Sequence, residues 1–201
     1  SYEQLLAVTE NIGARYQEAS GAKIRGLYFE GPYFTEKYKG AQNPAYMKDP
    51  RMDEFRAWQK AANGLLNKIA LAPEREGVEE FVRTITDEGV TVALGHSDAT
   101  YDEAKAAVEA GASVWVHAYN GMRGLTHREL GMVGAMYELP HTYAELICDG
   151  HHVDPKACDI LLKQKGHEHV ALITDCMTAG GLEDGDYMLG EFPVVVANGT
   201  A

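Results

Sequence analysis

Apolar positions change their period several times along the chain, and each change predicts a new element. Leu5, Leu6, Val8, Ile12 and Tyr16 recur at helical spacing within residues 1–20, the pattern of a helix with one apolar face. KIRGLYFEGP then reads as a short strand ending at Glu30, where Gly31 and Pro32 break it. The polar stretch TEKYKGAQNPAYMKDP follows, and long connectors in compact domains are commonly functional. DEFRAWQKAANGL predicts a helix, and NKIALAPE a strand stopped by Pro73. EGVEEFVRTITDEG predicts a helix closed by Gly89, and the β-branched VTVALGH a strand ending at His96. In TYDEAKAAVEAG, Thr100 and Glu103 have capping-box spacing and Gly111 closes the helix. SVWVHAYN and YAELICDG predict strands ending near His117 and Asp149. DPKACDILLKQKG predicts a helix, VALITD a strand ending at Asp175, and YMLGEFPVVVANGT a β-hairpin.

Strands alternate with helices, which predicts an α/β fold with a parallel sheet covered by helices. The strands fall at about 25–30, 68–73, 91–96, 113–118, 143–149 and 170–175. The polar chemistry sits at their C-terminal ends. Barrels and doubly wound sheets both keep their sites there, so this pattern alone leaves the two architectures open.

Composition narrows the function. Hydrophobic residues make up 45% and charged residues 24% of the 201, which excludes disordered, collagenous and coiled-coil classes. Thirty acidic against 18 basic residues give a net charge of -12, with no basic footprint for nucleic acid. An anionic small molecule would need a locally placed cation. No apolar run reaches the ~18 residues of a membrane span, and the charged first segment does not read as a signal peptide. Cys148, Cys158 and Cys176 are odd in number and form no CxxC. Reduced thiols in a cytoplasmic protein are the expectation.

Four strand ends deliver Glu30, His96, His117 and Asp175. One carboxylate and two imidazoles can hold a divalent metal with a position left for water. A second carboxylate nearby can move protons. Each has an ordinary alternative: a surface or hydrogen-bonded histidine, an acid paired with lysine, an aspartate capping a helix.

LYFEGPYF, KGAQNP, LAPE, LGHSDATYDEA, VHAYNGM, DGHHVDP and LITDCMTAG occur in one order. Together they resemble the N-acetylglucosamine-6-phosphate deacetylases of the amidohydrolase superfamily, across the whole chain. The resemblance implies a (β/α)8 TIM-type barrel of the metal-dependent hydrolase kind, of which this chain holds about six of the eight strands. The rest of the barrel would lie outside the chain, making it an internal segment. Residues 1–180 would be the catalytic half-barrel, and the hairpin of 181–201 part of a small β-subdomain. The implied reaction is hydrolysis of the acetamido group of N-acetylglucosamine 6-phosphate to glucosamine 6-phosphate and acetate. Glu30, His96 and His117 would hold the metal, zinc first and Fe, Co or Mn as alternatives. Asp175 would be the catalytic acid and base. Gln42, Asn120, Gly121, Arg128, Asp149 and His152 would contact substrate, with the fork of Arg128 suited to the phosphate. Gln42 stands where some members have His, and His151 competes with His152. A homodimer is expected, in which Arg128 serves a neighbouring subunit. His127, His141, His167, His169, Trp58 and Trp115 read as surface or packing residues. Another deacetylase or cyclic-amide hydrolase of the superfamily stays open, as does an inactive sugar-phosphate- or metal-binding fragment.

Overall fold

The computed structural model describes residues 1–200. The strands are β1 (Leu27–Glu30), β2 (Leu66–Leu71), β3 (Thr91–Leu94), β4 (Val114–Trp115), β5 (Tyr143–Ile147), β6 (Val170–Ile173), β7 (Gly185–Leu189) and β8 (Phe192–Val196). The helices are α1 (Tyr2–Arg15), α2 (Met52–Ala61), α3 (Val78–Asp87), α4 (Tyr101–Glu109), α5 (Gly131–Glu138) and α6 (Pro155–Lys165). Strands β1 to β6 form one sheet in sequence order, every neighbouring pair parallel. Strands β7 and β8 form a separate antiparallel hairpin, as the tail predicts.

The sheet is curled. Neighbouring strands lie about 4.8 Å apart, so β2 and β5 would be about 14 Å apart in a flat sheet. Yet Lys68 of β2 forms an ion pair with Glu145 of β5, and its Nζ also sits 4.1 Å from the ring centroid of Tyr28 on β1. Curling brings these inward-facing side chains together across the concave face. One layer further along, the small residues Ala70, Ala93 and Val116 pack with Phe34.

The convex face carries most of the core. Ile69, Leu71, Val92, Leu94 and Trp115 are fully buried beneath the helices. Helix α3 shows why its sequence folds onto the sheet: Val78, Phe81, Val82 and Ile85 repeat at i, i+3, i+4 and i+7, and all four are buried. Burying such a side chain stabilises by about 1.5–3 kcal/mol, and Phe81→Ala would cost about 3–5 kcal/mol. The capping box of Thr100 and Glu103 starts α4 as predicted. Helix α5 is the element that the sequence pattern misses. Its GMVGAMYE segment buries six successive residues, so no polar face marks a helical period.

The two edges of the sheet are β1 and β6. Strand β6 is poorly covered, and Leu172 on its convex side is 72% exposed. Open strand edges invite further pairing.

Candidate metal centre and its cavity

Of the four polar positions, one closes its strand and three occupy the turns that follow theirs. Glu30 is the last residue of β1, while His96, His117 and Asp175 each stand two residues beyond β3, β4 and β6. All three have left-handed backbone, with φ of 48°, 27° and 49°. Such conformations cost non-glycine residues of order 1–3 kcal/mol and collect at functional sites.

Glu30, His96 and His117 converge. Glu30 Oε1 lies 2.8 Å from His96 Nε2 and 3.3 Å from His117 Nε2, and the two Nε2 atoms are 3.0 Å apart. The other face of each ring is fixed by backbone. His96 Nδ1 donates to the Tyr38 carbonyl at 2.8 Å and His117 Nδ1 to the Asn120 carbonyl at 3.1 Å. A carbonyl oxygen only accepts, so each Nδ1 carries the proton. In the neutral rings both Nε2 lone pairs then face each other and a carboxylate oxygen. Three acceptors within such reach repel unless a cation or a proton sits among them. Ligand histidines characteristically donate their second nitrogen to a carbonyl in this way. The donor set therefore fits a divalent metal with an open position.

Burial and pairing set the charges. Burial pushes the Glu30 carboxyl up, but hydrogen bonds from His117 and His96 and their positive charge outweigh it and hold its pKa at about 2. Burial disfavours a charged His117, yet the Glu30 hydrogen bond and the charges of Glu30 and Asp175 raise its pKa. Both shifts describe a centre that demands positive charge beside Glu30.

Packing holds the rings. Phe34 stacks on His96 with centroids 4.3 Å apart. Gly121, at φ 59°, lies so close that a Cβ there would stand 3.2 Å from His96 Nδ1. Its carbonyl also accepts from the Ser97 amide at 2.9 Å.

Glu74, after β2, is a structural residue to which the sequence reading assigns no role. Its Oε1 accepts from the Thr35 hydroxyl at 2.6 Å and the Asp98 amide at 2.7 Å, and its Oε2 accepts from the Ser97 hydroxyl at 2.7 Å. One carboxylate thus ties the turns after β1, β2 and β3 together, next to His96. The LAPE motif was the available signal.

The centre opens into a cavity of about 1110 Å³, which is also lined by Gln42, Asn120, Gly121, Asp149, His152 and Asp175. Gln42 Nε2 donates to the Glu30 carbonyl at 3.4 Å, and Asn120 Nδ2 to the His117 carbonyl at 3.3 Å. Asp149 accepts from the amides of His151 and His152 at 2.8 and 2.9 Å and from His152 Nδ1 at 2.6 Å. These donors, the His152 amide foremost, hold its carboxyl well below the usual carboxylate range. His151 lines the cavity too. Arg128 is the exception: it lies on an exposed loop before α5, outside the cavity lining. The turn of the β7–β8 hairpin reaches the mouth, where Glu191 accepts from Asn43 Nδ2 at 2.9 Å and the Tyr46 hydroxyl at 3.2 Å. Nothing in the periodicity of the tail announces that contact.

Fold and site define the class: a parallel α/β half-barrel with a carboxylate and two imidazoles at its strand ends, able to hold a divalent cation, as in metal-dependent hydrolases. No family model matches the chain. It is 45% identical over 193 residues to the N-acetylglucosamine-6-phosphate deacetylase of Vibrio furnissii, covering 96% of this chain and 48% of that protein. It is 43% identical over 184 residues to the N-acetylgalactosamine-6-phosphate deacetylase of Escherichia coli O157:H7, covering 91% of this chain and 48% of that one. Among solved structures it is similar to an aspartate-to-alanine mutant of the Mycobacterium smegmatis N-acetyl-D-glucosamine-6-phosphate deacetylase in complex with N-acetyl-D-glucosamine-6-phosphate. That match has a TM-score of 0.94 at 34% identity and covers 99% of this chain and 51% of that one. The chain spans about half the length of the curated relatives it matches. Over 91–99% of its own length it is thus similar, at 38–45% identity, to curated N-acetylglucosamine- and N-acetylgalactosamine-6-phosphate deacetylases.

Proposed function

We propose that this segment carries the metal and catalytic residues of an N-acetylglucosamine-6-phosphate deacetylase, and that its curled sheet is six strands of an eight-stranded (β/α) barrel. The observation that carries the reading is the convergence of Glu30, His96 and His117 at the open end of that sheet. Residues 1–180 would form the catalytic half-barrel and 181–201 the hairpin of a small β-subdomain.

Glu30, His96 and His117 hold a divalent cation, zinc first, with Fe, Co or Mn compatible with the same donors. Such a cation would supply Lewis-acid chemistry there, polarising an acetamido carbonyl and lowering the pKa of a water toward neutral pH. Asp175 accepts a proton from the attacking water and returns it to the nitrogen as the C–N bond breaks, giving acetate and the amine. Its place in the shared cavity and its influence on the charge of His117 support that role. Gln42, Asn120 and Gly121 stand on the metal side of the cavity, and Asp149 and His152 on its rim, to orient the sugar. Two backbone amides and the His152 ring fix the Asp149 carboxylate, while His152 Nε2 has no hydrogen-bond partner among the described residues and is available to a hydroxyl.

The phosphate needs a cation. Among the described residues, no Lys or Arg lines the cavity. Arg128, exposed and outside it, would serve the cavity of a second copy, which is the reason to expect a homodimer. No described helix is long and apolar enough to cross a membrane, and three free cysteines accord with a cytoplasmic setting.

The galactosamine epimer is the second reading, favoured by the 43% identity to the N-acetylgalactosamine-6-phosphate deacetylase. Acetate release from each sugar phosphate, measured in a full-length deacetylase with this segment in place, decides between them. A higher kcat/KM for the glucosamine epimer is expected. A preference for the galactosamine epimer would transfer the assignment, and metal-independent or absent turnover of both would defeat it.

A further inference from the structure

Cys148 and Cys158 take no part in the proposed reaction, yet their sulfurs stand 4.0 Å apart. Cys148 follows the end of β5 and is exposed, while Cys158 lies near the start of α6 and is buried. A disulfide needs the sulfurs at about 2.05 Å, so closure asks for roughly 2 Å of approach between two neighbouring elements.

The nine residues between them are Asp149 to Ala157, and they hold the Asp149–His152 pair on the cavity rim. The far end of this loop is already anchored. Val153 is buried, the Asp154 side chain caps α6 by accepting from the Lys156 amide at 2.8 Å, and the Ala157 carbonyl accepts from the Tyr119 hydroxyl at 2.6 Å. At the near end, the loop leaves β5 through the exposed Cys148 and Asp149. A bond between the two cysteines would fasten that end to the anchored one.

We infer that Cys148 and Cys158 form a reversible dithiol–disulfide pair, oxidised by peroxide, that locks the Asp149–His152 loop against α6. The exposed Cys148 attacks the peroxide O–O bond and becomes a sulfenic acid, releasing one water. The sulfur of Cys158 then displaces hydroxide from that sulfenic sulfur, and with the thiol proton a second water leaves. Two thiols are oxidised to one disulfide and one hydrogen peroxide is reduced to two waters. Burial, and then the neighbouring Cys148, raise the pKa of Cys158, which keeps it a thiol until the sulfenic acid forms beside it. A dithiol reductant reverses the bond by exchange. This inference does not depend on the deacetylase reading.

The test treats the chain, in a Cys176→Ser background, with hydrogen peroxide and reads intact mass, alkylation and amide exchange. The expected result is a loss of two hydrogens, protection of Cys148 and Cys158 from alkylation, and slower amide exchange across residues 149–157, all reversed by dithiothreitol. Cys158→Ser should show none of these and should instead accumulate oxygen on Cys148. Oxygen added to Cys148 while Cys158 stays alkylatable in the unsubstituted pair would overturn the proposal. So would a bond joining two chains, or a disulfide that leaves the exchange of 149–157 unchanged.

Discussion

At Glu30 two imidazoles close on a carboxylate side chain that is 25% exposed, and the rings themselves are 9% and 4% exposed. At Asp149 one imidazole closes on a carboxylate that is 39% exposed, with its own ring 51% exposed. The two groups share a cavity and a chemistry but are built differently. The Asp149 group is local: all its donors come from within three residues. The Glu30 group is assembled by the sheet, from residues 66 and 87 positions away in sequence. Solvent screens the first and lets it adapt to a ligand. Burial and backbone hydrogen bonds fix the second, so its lone pairs stay aimed at one point. The difference teaches where a metal and where a substrate fit. A rigid, frustrated donor set suits a resident cation, and an exposed, locally satisfied pair suits a molecule that comes and goes.

Breaking the buried group should have the largest effect. His117→Asn should weaken metal binding by more than about 100-fold, beyond what loss of a supporting partner costs, as read by metal content after dialysis. Asp175→Asn should keep the metal and lose turnover by ~10²–10⁴-fold, as read by acetate release in a full-length deacetylase carrying this segment. Loss of the metal in that variant would make Asp175 a ligand instead. Glu74→Gln puts a donor where three donors converge, and should weaken metal affinity by ~10–100-fold. Unchanged affinity would show that the turns after β1 and β3 hold His96 unaided. The rim should respond least: Asp149→Asn should raise KM by roughly fivefold, about the worth of one hydrogen bond, with metal affinity untouched.

Acid sharpens the same comparison. The Glu30 pKa is lowered from 4.5 to about 2 in the folded chain. A depressed carboxyl stabilises the fold above its unfolded pKa and loses that contribution as pH falls through the folded one. The metal-free chain should therefore lose this contribution between about pH 4.5 and pH 2. A carboxyl-carbon NMR titration of Glu30 checks it, and a midpoint near 4.5 would show that the imidazoles do not hold the charge.

Much of this was legible in the chain. Strand positions followed from runs such as VTVAL and YAELI, and helix α4 from its capping box, because both signals are local. Glu30, His96, His117 and Asp175 stood out by falling at strand ends, and the geometry brings the first three together. Asp149 and His152 came from the resemblance through the DGHH motif, with His151 as a competitor, and their contact spans three residues. Helix α5 was hidden by its uniform burial. Glu74 and Glu191 were hidden because their partners lie 23 to 148 residues away and no period encodes such contacts. No period encodes the position of Arg128 outside the cavity, since a loop's direction depends on what it packs against; only the resemblance, with Arg128 serving a neighbouring subunit, pointed there.

The account rests on a cation held by Glu30, His96 and His117, and an anomalous-scattering map of metal-soaked crystals at the zinc edge tests it directly. It predicts one peak bonded to Glu30 Oε1 and to the Nε2 atoms of His96 and His117, absent from His117→Asn crystals. Well-ordered side chains with no peak between them, or a peak held by other residues, would contradict it.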